Sequence, residues 1–426
     1  MVRSLRHRNY QLFFGGQLIS LVGTWMQVVA QSWLVYRLTK SGFLLGAVGF
    51  ASQIPAFLVG PIAGTIVDRY NKHRIVIATQ ASSMVLASIL AGLTLSGVIH
   101  VWHIFVLAAL LGLVNGFDIP SRQSFIVEMV GREDLINAIA LNSSMFNGAR
   151  IVGPAVAGVL VAAIGEGWCF FANAVSFIAV IAGLLLMKDL PHGKAPRTGS
   201  TFDDIAEGFR FIGSTSPIRE LMMMLGLVSL MGLPYSVLMP IFAAEILHGG
   251  ASALGFLMCC AGLGALIGAL SLAARKEVRG LGRWVAYAAT GFGASLILFS
   301  LSRNLYLSAL MLVPAGFFIM VQMASSNTLL QTMSPDRLRG RVMSVYAMTF
   351  MGMAPLGSLI AGVLANHISA PVTVGIGGAV CIVGGLVFLS RLPGLKVHAE
   401  RLIIASEMAA GDPPDEMTVG SSIAVK

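Results

Sequence analysis

Twelve long apolar stretches recur along this chain, each closed by a short basic or Gly/Pro-rich break. A helix needs about 20 apolar residues to span the hydrocarbon of a bilayer, and each stretch supplies that length. Transmembrane barrels are built instead from segments of alternating polarity, and those are absent. Only 11% of the residues are charged and mean hydropathy is +0.83, too little charge to cover the surface of a water-soluble fold of this size. The pattern specifies an all-α membrane protein.

The expected spans are Tyr10–Tyr36, Phe43–Val67, Ile75–Gly97, Trp102–Met129, Asn137–Ile164 and Trp168–Met187, then Glu220–Leu247, Ala253–Ala274, Gly282–Leu301, Leu305–Met333, Val342–Asn366 and Val372–Leu392. This divides the chain into a six-helix half (1–187), a cytoplasmic linker (188–218), a second six-helix half (219–392) and a loosely ordered cytoplasmic tail (393–426). Arg3, Arg6 and Arg8 precede a span-length segment with no small-residue cleavage site, so the first span is expected to serve as its own insertion signal. The four cysteines, Cys169, Cys259, Cys260 and Cys381, lie in or beside apolar segments and are expected to pack as free thiols.

The net charge of +9 is oriented rather than diffuse. With the N-terminus in the cytoplasm, only Arg37, Lys40 and Arg303 fall in external loops, and Arg150 falls inside a span. The remaining Lys and Arg lie in or beside cytoplasmic loops, the positive-inside pattern. Both termini are therefore expected in the cytoplasm of a bacterial inner membrane, and nucleic acid is not an expected partner. In the linker, Ser200 or Thr201 can cap a helix with Asp203 and Asp204 in its first turn. Phe202, Ile205, Phe209 and Ile212 then form one apolar face, to lie on the cytoplasmic leaflet or to pack on the protein itself.

The halves repeat. Gly131-Arg132-Glu133-Asp134-Leu135 precedes the fifth span and Ser334-Pro335-Asp336-Arg337-Leu338 the eleventh. Ala157-Gly158-Val159-Leu160 then matches Ala361-Gly362-Val363-Leu364 at nearly the same offset. Two parallel six-helix repeats with substrate bound between them describe the major facilitator fold.

Between spans two and three stands Gly60-Pro61-Ile62-Ala63-Gly64-Thr65-Ile66-Val67-Asp68-Arg69-Tyr70-Asn71-Lys72-His73-Arg74. It resembles the major facilitator loop signature. Gly64 would allow close helix approach, and Asp68 suits the positive N-terminal end of another helix. The resemblance makes that helix the eleventh and gives Gly64, Asp68, Arg69, Lys72 and Arg74 a gating role that shuts the cytoplasmic side in the outward-open state. Asn71 replaces the usual second glycine, a residue that also tolerates a left-handed turn. The corresponding loop from Gly268 to Arg283 keeps basic residues but has no acid where Asp68 maps. In the fourth span Asp118 and Arg122, on the gate side, belong to the same expected gating set; Asp118 can pair with Arg122 one turn on or with Lys72, or can carry a proton.

In the fifth span, Gly153-Pro154-Ala155-Val156-Ala157-Gly158 resembles the Gly-Pro motif of exporters in this superfamily; helix packing without bearing on direction is the alternative. Arg150 lies on the same face as Gly153 and Pro154 near mid-span, where a charge is costly and normally meets a partner or a watery cavity. It can hold an anion, switch a salt bridge between states, or form a static buried pair. Gln27 and Gln31 in the first span, Asn147 in the fifth, and Gln322 and Asn327 in the tenth are the other candidate cavity residues. His100 and His103 share a face without a third ligand, so no metal is expected. The absence of a P-loop excludes a self-contained ATP-driven pump.

These segments, together with Gly23-Thr24-Trp25-Met26-Gln27, Ser32-Trp33-Leu34-Val35-Tyr36, Asp118 to Gln123 and Asp204-Ile205-Ala206-Glu207-Gly208-Phe209-Arg210, make the chain similar to the transmembrane secretion effector branch of the major facilitators, which includes enterobactin exporter-like proteins. The resemblance implies a monomeric, cofactor-free secondary transporter in the lipid bilayer that exports a small amphiphilic compound, siderophore- or drug-like, against protons. An uptake or lipid-handling carrier of the same fold is the alternative. A channel would need a filter, and an intramembrane enzyme would need paired acids or a nucleophile with its base; neither pattern occurs.

Overall fold

The computed structural model describes residues 3–131, 133–188, 201–275 and 280–410. It contains 12 helices long and apolar enough to cross a membrane, and no strand occurs among the described residues. The first six are α1 (Arg8–Thr39), α2 (Gly42–Arg69), α3 (Lys72–Leu95), α4 (Val101–Val130), α5 (Leu135–Ile164) and α6 (Glu166–Leu185). The linker helix is α7 (Thr201–Ser214). Then follow α8 (Ser216–Ile246), α9 (Gly250–Ala273), α10 (Leu281–Leu301), α11 (Leu305–Met333), α12 (Asp336–His367) and α13 (Ala370–Ala410). Connections are tight because their residues cap directly. Ser41 accepts from Leu44 N–H at the start of α2, and Asn304 accepts from Tyr306 and Leu307 N–H at the start of α11.

The described spans alternate between two faces. The near face carries the start of α1 and the α2–α3, α4–α5 and α7 segments; the far face carries the α1–α2, α3–α4 and α5–α6 turns. Large apolar side chains point outward along the spans, among them Leu58 at 63% exposure and Leu185 at 66%. Such a surface is unfavourable in water and suits lipid. α8 contains two π-turns, Val228–Gly232 and Phe242–Ile246, beside Pro234 and Pro240. Proline lacks a backbone donor and disturbs the regular ladder, and π-turns are concentrated at functional sites.

Between the halves, α2 packs on α12 and α5 on α9. Both crossings are built from glycine. A Cβ on Gly362 would lie 2.6 Å from the Gly42 carbonyl oxygen and 2.9 Å from Gly46 Cα. One on Gly255 would lie 2.5 Å from the Pro154 carbonyl oxygen and 2.6 Å from Gly158 Cα. The repeated Ala-Gly-Val-Leu segments thus supply one glycine, Gly158 or Gly362, to each crossing. Both lie toward the far face.

One expectation changes here, and one open alternative is decided. The last helix does not end at Leu392 but continues to Ala410, with Leu402 and Ile403 partly buried against the bundle. The stretch after Gly394 is rich in strong helix formers and has no further Gly or Pro before Gly411; residues 411–426 lie outside the described residues. The linker helix packs on α12 through Gly208, whose Cβ position faces the Arg341 carbonyl oxygen at 3.1 Å, while Phe209 is exposed. Glu207 bonds Arg341 and pairs with Arg337 at 3.2 Å, and a cleft of about 490 Å³ lies between the two helices. The expected linker cap at Ser200 lies outside the described residues, as do the side chains of Thr201, Phe202, Asp203 and Asp204.

Candidate transport site

On the near face, the α2–α3 turn is fixed to its own half. Asn71 caps α3, accepting from Arg74 N–H at 3.1 Å, and its backbone is extended at φ −67° rather than left-handed. Capping is what its side chain contributes that glycine would not. Lys72 pairs with Glu128 of α4 at 2.5 Å, and His73 bonds the Leu184 carbonyl of α6 at 2.8 Å. Arg69 and Arg74 are exposed, and the side chain of Asp68 lies outside the described residues. Asp118, 3% exposed, takes the partner one turn on: Arg122 Nε lies 2.9 Å from its Oδ2. Thr79 hydroxyl and Gln80 amide donate to its Oδ1 at 2.7 and 2.8 Å. Lys72 is not its partner.

Gly64 does not mediate a close helix approach in this structure. It lies 18 residues from Gly46, about five helical turns, and so shares its face. Along that face a Cβ on Gly46 would strike Ser358 and Gly362, and Phe57 reaches to within 2.9 Å of the Cβ position of Gly352. At Gly60 and Gly64 a Cβ would meet nothing within 4 Å, and the same holds for Gly340 on the facing side of α12. The α2–α12 contact is closed toward the far face and absent at these near-face positions. At these glycines the two helices do not touch, because the halves diverge toward the near face.

At mid-depth, Arg150 of α5 is half-buried. No carboxylate or hydrogen-bond acceptor pairs with it among the described residues. Its guanidinium lies 5.8 Å from the Trp25 ring centre, and Trp25 meets Phe146 edge-on at 5.6 Å. Gly262 of α9 has its Cβ position 3.1 Å from the Arg150 carbonyl oxygen, so the other half borders the same place. Gly153 makes this possible: its Cβ position is 2.5 Å from Trp25 Cβ, so α5 lies directly on α1. Pro154 and Gly158 turn the other way, onto α9. The Gly-Pro motif thus joins α5 to its own half and to the opposite half within six residues.

The polar candidates divide. Gln31 and Asn327 are half-buried, and Asn327 accepts from the Gln331 amide at 2.5 Å. Asn147 is 8% exposed and donates to the Ser143 carbonyl. Gln27 is packed between α1 and α6, accepting from Asn173 at 2.7 Å, and Gln322 is fully buried with Ser326 at 3.4 Å. Gln27 thus sits in helix packing rather than facing open space, held where a second polar side chain satisfies it, whereas Gln322 Oε1 is buried with no hydrogen-bond partner among the described residues. His103 accepts the His100 N–H at 3.0 Å, so this pair serves the start of α4.

On the far face Tyr36 donates to Glu245 Oε1 at 2.5 Å across the halves, and Arg37 pairs with Glu166 at 2.7 Å within one half. The pairing of Tyr36 with Glu245 was not legible from spacing, nor were Glu128 and Asn173 as partners. An acid or an amide inside an apolar span is the signal that marks such residues.

The profile of the transmembrane secretion effector family matches residues 2–412. The chain belongs to this family. It is 26% identical to the staphyloferrin A transporter of Staphylococcus aureus, over 91% of this chain and 97% of that one. It is 29% identical to the multidrug efflux pump Tap of Mycobacterium tuberculosis, over 89% and 92%, and 25% identical to the enterobactin exporter EntS of Shigella boydii, over 92% and 93%. In fold it is similar to a peptide transporter of the POT family, with a TM-score of 0.73, 14% identity and coverage of 92% and 95%. A bacterial homologue of ferroportin in an inward-facing state gives a TM-score of 0.70, 17% identity and coverage of 91% and 98%. The protein is a major facilitator transporter, multi-pass in the inner membrane.

Proposed function

We propose that this transporter exports a small amphiphilic organic compound, siderophore- or drug-like and carrying an acidic group, in exchange for protons by alternating access. The observation that carries the reading is Arg150. An unpaired guanidinium at mid-membrane is unfavourable unless water or a ligand reaches it. Here it lies over Trp25, which meets Phe146 edge-on, where both halves meet and the bundle diverges toward the near face. The cation suits an anionic group and the aromatic faces suit the apolar remainder of one ligand. Relatives named for siderophore and multidrug transport support the same cargo class.

The positive-inside pattern supports a cytoplasmic near face, and an open near face on that side would load cargo from the cytoplasm. In the opposite state the α2–α3 loop would dock, through Asp68, on the start of α12. Inverted vesicles test this. An inward-acid pH gradient should drive uptake of the cargo, a protonophore should abolish it, and ATP without a gradient should do nothing. Accumulation that survives collapse of the gradient, or transport only in the opposite direction, would overturn the reading.

A further inference from the structure

The far face holds a bond that neither the loop motif nor the cargo site accounts for. Tyr36 lies in the last turn of α1 and is 1% exposed. Its ring is held on two sides: Trp33 tilts against it at 6.1 Å, and Lys40 Nζ stands 4.5 Å over its face. Lys40 is placed there by a left-handed backbone, φ 50°, that ends α1. The hydroxyl that emerges from this clamp donates to Glu245 Oε1. Glu245 stands on the π-turn Phe242–Ile246 of α8, a local departure from α geometry in an apolar span. Among the described residues no cation forms an ion pair with Glu245, and Arg37 is committed to Glu166.

The rest of the far-face contact is of a different kind. The two glycine crossings bring backbones close, but they are van der Waals contacts with no directional bond and no charge. The phenol–carboxylate bond is charge-assisted, the stronger class of hydrogen bond, and joins α1 of one half to α8 of the other.

We infer that Tyr36 and Glu245 are the latch that keeps the far face shut while the near face is open. The inference rests on the two-state part of the transport reading above. Each time the halves reverse, this bond breaks, and when cargo has left it forms again. Tyr36 and Glu245 are therefore positioning residues for transport, acting on the balance between states rather than on cargo.

Ser358 provides the reporter, because it is 3% exposed and packed at the Gly46 crossing. Ser358→Cys would be labelled from the far side with a membrane-impermeant maleimide, and the rate taken above that of the parent chain with its native cysteines. Tyr36→Phe and Glu245→Leu should each raise that rate about tenfold, the size expected for loss of one charge-assisted bond. The double variant should label no faster than either single variant, because both remove the same bond. Labelling from the near side at Tyr70→Cys should slow in step. Only variants that purify monodisperse are compared, and Tyr36→Phe removes a single oxygen atom. Unchanged far-side labelling in either single variant, or a double variant whose effect is the product of the two, overturns the latch. If labelling responds as expected while the parent moves no cargo under a proton gradient, the export reading fails and the latch stands. If the parent transports and labelling does not respond, the latch alone fails.

Discussion

Gly255→Ala offers the most direct test of how the far face is built. The added methyl would stand 2.5 Å from the Pro154 carbonyl oxygen, 2.6 Å from Gly158 Cα and 2.8 Å from Gly158 N. All three are backbone atoms of α5, so no rotamer change relieves the overlap, and the helices themselves must part. Overpacking of this kind costs about 1–3 kcal/mol. The contact exists where the far face is closed, so the cost falls on that state and spares the one in which the crossing has opened. A differential of that size shifts a two-state ratio by about 5- to 150-fold, away from the near-open arrangement. Spin labels on cysteines at Tyr70 and Gly340 would report it. Tyr70 is 67% exposed, and Gly340 has nothing within 4 Å of its Cβ position. Gly255→Ala should enlarge the short-distance population as the near-face ends of α2 and α12 approach. Gly262→Ala should do so less, since its Cβ meets the Arg150 carbonyl oxygen at the milder distance of 3.1 Å. An unchanged distance distribution in monodisperse Gly255→Ala, or a larger effect from Gly262→Ala, would refute the reasoning.

Arg150→Leu should abolish transport of an acidic cargo and Arg150→Lys should retain part of it, at equal membrane expression; wild-type transport by Arg150→Leu would remove the cation from the cargo site. Asp68→Asn should cut transport strongly with insertion intact and raise cysteine accessibility on the near face, because the closed near face loses its dock; normal transport by this variant would refute the gate. Asp118→Leu should lower thermal stability in detergent, by up to about 3–5 kcal/mol, because it leaves Arg122 without its counter-charge and the Gln80 amide without its acceptor. An unshifted melting temperature would show that the pair contributes little.

The sequence by itself determined the twelve spans, the two halves and the family. These follow from a one-dimensional quantity: transfer of each segment into lipid sums along the chain, so span edges near Ile164, Leu301 and Met333 could be read within a residue or two. The loop motif, the Gly-Pro motif and the anomalous Arg150 were legible because each is local. The tertiary structure decided what the apolar residues of a span could not reveal. Lipid tails are as apolar as leucine, so hydropathy does not separate a side chain facing lipid from one facing another helix. Hence polarity alone makes Gln27 a cavity candidate, whereas packing sets it against Asn173, 146 positions on. The loop motif by itself gives Lys72 no partner, and packing supplies Glu128; Gly64 is spaced for a helix contact, yet in this state it faces open space. Which face is shut depends on Tyr36 meeting Glu245 and on glycine meeting glycine across segments far apart in sequence, and only packing the two halves together brings those residues into contact.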